Sequence, residues 1–269
     1  MSITLPPPPT SLPPRGDLRR RVLAGEATVG AFLNLGSLAS SELVARAGYD
    51  WVIVDLEHGM GSVGDVHAQL LAIQGTSTAG LVRVPSVERL RIARALDLGA
   101  DGLMLPQVRS AAEAADGLSW MRYPPDGVRG VALITRGAGY SERSHGEVAA
   151  VVNPAILGVF QVETPAAVEV ADEVASIEGV DVLFVGPADL SHAMGVPGRM
   201  DDPGFVKALD RVVAACAAHG KSAGILLKDG ASVAAARAQG FTFLGVGSDV
   251  SFVLAGARRE LAAARAALG

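Results

Sequence analysis

The sequence predicts one α/β domain folded as a closed (β/α)8 barrel, and three observations lead there. Apolar runs alternate eight times with Ala-rich helical stretches over about 250 residues, the size of such a barrel. The runs are continuous rather than alternating, as in parallel strands covered on both faces. The helical stretches end in glycine at "RAGYD", "DLGAD", "EGVD", "AHGKS" and "AQGFT", where a chain leaving a helix turns left-handed.

Taken in order, residues 1–17, opening "MSITLPPPPTSLPPRG", form a proline-rich arm. Its prolines deny it helix and sheet ladder and suit a polyproline conformation. It lacks the basic and then apolar regions of a secretory signal. Residues 18–269 form the barrel domain. Strands are expected at 30–35, 51–56, 80–85, 102–107, 157–163, 182–187, 223–227 and 241–247. Helices are expected at 39–48, 62–74, 87–99, 110–121, 165–177, 203–220, 231–240 and 251–268. The stretch 122–153 follows the fourth strand and is expected over the mouth of the barrel, where a loop of that length is functional or disordered.

Composition narrows the function. The chain is 49% apolar with a net charge of −5, so it presents no basic field to nucleic acid or to an anionic membrane. No apolar run reaches the roughly 18 residues of a membrane span. The single Cys216 sits in the helical run "VVAACAAHG", reads as a small buried hydrophobe, and fits a reducing, cytoplasmic compartment.

Barrel active sites lie at the C-terminal strand ends. There the sequence places Asp55, Glu57 and His58 in "WVIVDLEHG", Arg83, Gln107 and Arg109, Gln161 and Glu163, Asp189, and Lys228. The opposite ends are mostly Gly and Ala. Gln161 and Glu163 are two apart and share a face. With Asp189, Glu163 could hold Mg2+ or Mn2+; the alternative is an ion pair with Arg83 while Asp189 caps the next turn. Asp55 is spaced to orient the His58 imidazole as a base. Glu57 is expected to point away and to be structural. Among the other histidines, His67 is expected at the surface and only His192 near the mouth. "GMGSVG" (59–64) matches G-x-G-x-x-G, but "EH" separates it from its strand and the next strand ends in Arg83, which argues against a dinucleotide site.

"DLEHG", "LVRVP", "RYPPDGVRGV", "QVET" and "GPADLSHAMG" occur in an order and spacing similar to the HpcH/HpaI aldolases, the class II pyruvate aldolases. The resemblance covers about residues 28–262. It implies a hexamer with exchanged terminal helices and a divalent metal, commonly Mg2+, Mn2+ or Co2+. Glu163 and Asp189 resemble the metal ligands, Arg83 the residue facing the pyruvate oxygen, and Asp55 with His58 the proton-transfer dyad. Gln161 and the amides of Ala188 and Asp189 would hold the pyruvate end, in a pocket with Gly186, Pro187 and Leu226. Asp97 resembles an acid that reaches a neighbouring subunit's site. "MGSVGD" (60–65) and Lys228 depart from the family pattern beside the mouth. The implied reaction joins a pyruvate or hydroxypyruvate enolate to an aldehyde, or cleaves the product. The alternatives are a metal-dependent 2-oxo acid decarboxylase on the same site, a Schiff-base aldolase using Lys228, and a barrel that only binds.

Overall fold

Eight parallel strands hydrogen-bond in chain order and the eighth returns to the first, closing the barrel. In the computed structural model, which describes residues 16–268, they are β1 (Thr28–Leu33), β2 (Trp51–Asp55), β3 (Ala79–Arg83), β4 (Gly102–Leu105), β5 (Leu157–Val162), β6 (Val182–Val185), β7 (Ser222–Leu227) and β8 (Phe243–Ser248). The helices are α1 (Asp17–Leu23), α2 (Leu38–Arg46), α3 (Val63–Ile73), α4 (Arg89–Asp97), α5 (Ala111–Met121), α6 (Val148–Val152), α7 (Pro165–Glu169), α8 (Ala171–Ser176), α9 (Pro187–Ala193), α10 (Pro203–Ala218), α11 (Val233–Gln239) and α12 (Asp249–Leu268). The expected barrel is the observed one, with most strands stopping a residue or two before the rim positions that the apolar runs include.

Continuous apolar runs serve two faces because successive strand side chains point opposite ways. Trp51, Ile53, Leu81, Met104, Val159, Val182, Phe184 and Phe243 fill the barrel. Val52, Val54, Val82, Leu103, Phe160, Leu183 and Leu244 pack beneath the helices. Trp51 stacks on Phe243 at a centroid distance of 4.1 Å. Gly30 makes room for it, since a Cβ there would lie 2.0 Å from the indole.

The sequence reading missed α1. Its Leu18 and Val22 join the interior cluster and close the N-terminal end of the barrel. Arg19 fastens the helix to Asp181 at 2.9 Å and Arg21 to Asp50 at 2.7 Å. The arm assigned to residues 1–17 lies outside the described residues except for Gly16 and Asp17, and Asp17 opens this helix. The reading also missed α6 and α9 and ran α7 and α8 together.

One placement is corrected. Residues 122–153 follow α5, not β4 directly, and α5 has already carried the chain back down the outside of the barrel. They therefore pack at the N-terminal end. Arg136 donates to Gln74 at the end of α3, a Cβ on Gly137 would strike the Leu96 carbonyl near the end of α4, and Arg129 pairs with Asp97 at 2.7 Å. The "RYPPDGVRG" residues form a clamp here. The Asn153 side chain bonds the main chain of Tyr123 on both sides, and the Arg129 guanidinium lies 4.4 Å from the Tyr123 ring centroid.

Candidate active site

The inward alternation continues past the strand ends, and there it changes chemistry. Ile53 leads to Asp55, Leu81 to Arg83, and Val159 to Gln161 and then Glu163. Asp55 and Arg83 are register partners on β2 and β3. Arg83 donates from Nε to Asp55 Oδ1 at 2.8 Å and from Nη2 to Oδ2 at 2.6 Å, a bidentate fork. Asn34 Nδ2 also donates to Asp55 Oδ2, at 2.6 Å, and the main-chain N–H groups of Glu57 and His58 donate to Oδ1. Burial alone would raise the Asp55 pKa, but the Arg83 bonds and charge outweigh it and, with the two N–H groups, hold it below the usual value. For Arg83, burial acts downward, and the hydrogen bonds and charge of Asp55, with the charges of Glu57 and Glu163, push its pKa up.

This geometry corrects two expectations. Asp55 bonds the backbone of His58, not its ring: an aspartate leaving a strand makes an Asx turn with the N–H groups two and three residues on, and Arg83 and Asn34 take the rest of its lone pairs. The His58 ring is exposed on the rim. Glu57 does not turn away. Glu57 lies two residues beyond Asp55, where alternation keeps it on the same side, and its buried side chain comes within 3.0 Å of Arg83 Nη1. Arg83 is thus held between two carboxylates, with its guanidinium carbon 5.2 Å from the Phe32 ring centroid.

Across the mouth, Glu163 is buried and accepts the Gln107 main-chain N–H at 2.7 Å and the Gln161 side-chain amide at 3.2 Å. Gln107 aims that N–H from a left-handed backbone, φ 52°. Burial raises the Glu163 pKa; the Gln107 N–H opposes this, repulsion from Glu57 and Asp189 adds to it, and Arg83 opposes it less. Asp189 lies in the first turn of α9, whose N1 residue is Pro187. A Cβ on Gly186 would sit 3.3 Å from Glu163 Oε2 and 3.7 Å from Asp189 Oδ2, so these two oxygens are no more than about 7 Å apart and share one space. The Oε1 of Gln161 is buried without a hydrogen-bond partner, and the buried Oε2 of Glu57 has its ion pair with Arg83 but no hydrogen bond. Leu226 faces the interior one strand further round.

Other expected residues fall elsewhere. Asp97 sits at the N-terminal end of its own barrel, on Arg129. Arg109 reaches back to the Gln107 side chain at 3.2 Å. His192 is exposed on α9 and bonds the Ala188 carbonyl. Cys216 is buried, which pushes its thiol up to about 12, the behaviour of a core residue. The glycine-rich 59–64 loop has a packing reason: a Cβ on Gly59 would lie 2.1 Å from the Asp55 carbonyl oxygen and one on Gly61 would lie 2.9 Å from Gly36 Cα, so two loops cross closely. Ser62 and Asp65 then form a capping box for α3.

Two residues were missed. Asn34 fixes Asp55, and buried Asp249 accepts from the Asn34 and Leu35 N–H groups and the Ser40 hydroxyl. Both are polar residues just past an apolar run, the signal used at the other strands.

The model of the HpcH/HpaI aldolase/citrate lyase family matches residues 28–255. The hydroxypyruvate/pyruvate aldolase of Paraburkholderia phytofirmans is 38% identical over 250 residues, 91% of this chain and 95% of its own. The 5-keto-4-deoxy-D-glucarate aldolase of Klebsiella pneumoniae is 36% identical over 239 residues, 89% of this chain and 92% of its own. A crystal structure of a family protein from Burkholderia cenocepacia superposes with a TM-score of 0.88 at 36% identity, covering 93% of this chain and 99% of the other. With a matching barrel and carboxylates and arginine at its mouth, the chain belongs to the HpcH/HpaI aldolase/citrate lyase family.

Proposed function

We propose that this protein is a divalent-metal-dependent class II aldolase that joins the enolate of a pyruvate-type 2-oxo acid to an aldehyde, and cleaves the product in reverse. The chain is a carbon–carbon lyase by its family. The observation that carries the metal reading is a surplus of negative charge: Asp55, Glu57, Glu163 and Asp189 line the mouth against one buried guanidinium, that of Arg83. Glu163 is destabilised as an anion there, and a bound cation reverses that.

The residues fit such an ion. Glu163 and Asp189 would hold it, both being carboxylates open to one space. Two protein ligands would leave the remaining positions to water and substrate. Bound there, Mg2+, Mn2+ or Co2+ supplies Lewis-acid polarisation of a 2-oxo acid. The chain supplies the rest. Arg83 adds positive charge at the 2-oxo oxygen as C3 loses its proton. Asp55 acts by holding Arg83 in place, and His58, exposed beside them, takes the C3 proton and delivers it to the aldehyde oxygen that becomes the hydroxyl. The Gln161 amide and the first N–H groups of α9, at Ala188 and Asp189, hold the carboxylate end. Gly186, Pro187 and Leu226 shape the pocket around it.

Small molecules are the partners in this reading, and the single buried thiol suits the cytoplasm. No helix among the described residues is long and apolar enough to cross a membrane. The assembly is a homo-oligomer, in the family manner a hexamer. Of the α12 residues only Asp249 is buried, and Phe252, Val253, Leu254 and Leu261 are exposed along it, apolar surface that a neighbouring copy would cover. Asp97 would meet a neighbour's site in that assembly.

The test is stripping with a chelator, then assaying deuterium exchange at C3 of pyruvate and aldol formation with a panel of aldehydes. Both activities should vanish and return with Mg2+, Mn2+ or Co2+. Activity that survives chelation, with borohydride trapping of pyruvate on Lys228, would replace this reading with a Schiff-base one.

A further inference from the structure

One buried carboxylate has no part in the reaction above. Asp249 opens α12, and neutral donors satisfy it. Its Oδ1 accepts the Asn34 N–H at 2.8 Å and the Val250 N–H at 2.9 Å. Its Oδ2 accepts the Ser40 hydroxyl at 2.7 Å and the Leu35 N–H at 3.3 Å. Three of these donors belong to the segment that leaves β1 and enters α2, so Asp249 clasps that segment to the first turn of α12. Phe252 anchors the same turn. Its ring stacks on Tyr49 at a centroid distance of 6.1 Å, and a Cβ on Gly247 would lie 2.6 Å from it.

Asn34 carries the hold to the mouth. While its N–H binds Asp249, its carbonyl accepts the Met60 N–H at 2.6 Å, in the loop that also carries His58. Its side-chain Nδ2 donates to Asp55 Oδ2 at 2.6 Å, and the same oxygen takes Arg83 Nη2, also at 2.6 Å. The Asn34 amide therefore helps to set the plane of the carboxylate in which the guanidinium fork lies. Hydrogen bonds run unbroken from α12 to Arg83 through Asp249, Asn34 and Asp55. Glu163 is held separately, by the Gln107 N–H and the Gln161 amide.

Resting on the aldolase reading, we infer that Asp249 and Asn34 are positioning residues for Arg83, which tie the aim of its guanidinium at the 2-oxo oxygen to the first turn of α12. A bidentate fork is directional, so a carboxylate that tilts takes the guanidinium with it. A misplacement of about 1 Å at a reacting centre costs on the order of 10² in rate. Neither residue touches the reacting atoms; both act through Asp55.

The experiment measures kcat and KM for deuterium exchange at C3 of pyruvate with Mn2+, and Mn2+ affinity from the EPR signal of the free ion. The proteins are the wild type, Asn34→Ala, Asp249→Asn and the double variant, each also in an Arg83→Lys background. Asn34→Ala and Asp249→Asn should each lower kcat by about 10- to 100-fold, the scale of one hydrogen bond to a charged group, with the Mn2+ Kd within about twofold of wild type. The double variant should fall no further than Asn34→Ala, and in Arg83→Lys, where the fork is already lost, each change should matter by less than about threefold. Losses that multiply in the double variant, or a lower Tm with kcat unchanged, reduce Asp249 to a structural cap and overturn the inference. If Asp249→Asn does not fold, Ser40→Ala removes one of its donors and carries the same cycle. Crystal structures read the geometry without activity: in Asp249→Asn the bond from Asn34 to Asp55 should open beyond about 3.5 Å, and an unmoved bond overturns the relay. Wild-type exchange tests the aldolase reading separately. If it is absent with every metal, that reading fails and the crystal distances alone decide the relay; if it is present and the variants keep their kcat, only the relay fails.

Discussion

Asp55 and Arg83 stand opposite each other on adjacent strands and are joined by two parallel hydrogen bonds of 2.8 and 2.6 Å, with Glu57 3.0 Å from the third guanidinium nitrogen. Removing one partner of such a buried pair leaves the other charge stranded, so Asp55→Ala should cost about 3–5 kcal/mol in urea denaturation. Arg83→Lys keeps the charge but loses the fork. It should remain folded while kcat for aldol cleavage falls by about 10²–10³, the effect of losing one oxyanion donor. Wild-type activity in Arg83→Lys would remove Arg83 from the site.

The same pair sets an acid limit. The Asp55 pKa is lower in the folded chain than that of a free aspartate. The unfolded state therefore takes up the proton first as pH falls. The stabilisation from Asp55 is complete at neutral pH and is lost as pH drops through the carboxylate range. Unfolding free energies measured from pH 7 to pH 3 should fall with a shallower slope in Asp55→Asn than in the wild type.

Glu163 behaves in the opposite sense. Its pKa is raised, so in the metal-free protein stability is highest below the usual glutamate range and declines as pH rises through the folded-state value. Metal-free Glu163→Gln should melt above metal-free wild type at pH 8, and should lack the rise in Tm that Mn2+ gives the wild type. A rise of equal size in both proteins would place the ion elsewhere.

His58 is exposed and bonds Asp55 only through its main-chain N–H. His58→Gln should leave stability within about 0.5 kcal/mol, as surface changes do. It should lower kcat by roughly 10²–10⁴ and remove one limb of the kcat pH profile, the signature of a lost general base.

The floor of the barrel is testable without activity. Leu18 is 6% exposed and packs with Val22 into the interior cluster. Leu18→Ala should cost about 2–5 kcal/mol, the usual range for a buried leucine truncated to alanine. A loss below about 0.5 kcal/mol in denaturant titration would mean that α1 does not close the barrel.

Residues whose role is local were legible in the sequence. The apolar runs and helix-ending glycines determined a barrel of eight parallel strands. Asp55, Arg83, Gln161 and Glu163 could be assigned to its rim because each follows an apolar run at a spacing that keeps it on one face. What needed tertiary structure was anything settled by a second segment. Glu57 is held in the mouth by an arginine of the next strand, a partner that its own strand does not report. Asp55 serves Arg83 and Asn34 and leaves the His58 ring alone, since a carboxylate has few lone pairs and the nearest charged donor takes them. Residues 122–153 lie at the far end because a helix intervenes and reverses the chain, and α1 is a floor only because the closed barrel presents an apolar end for Leu18 and Val22 to cover. Periodicity is a property of consecutive residues and survives in the sequence; competition for a partner depends on distance across the fold, and only the closed barrel sets those distances.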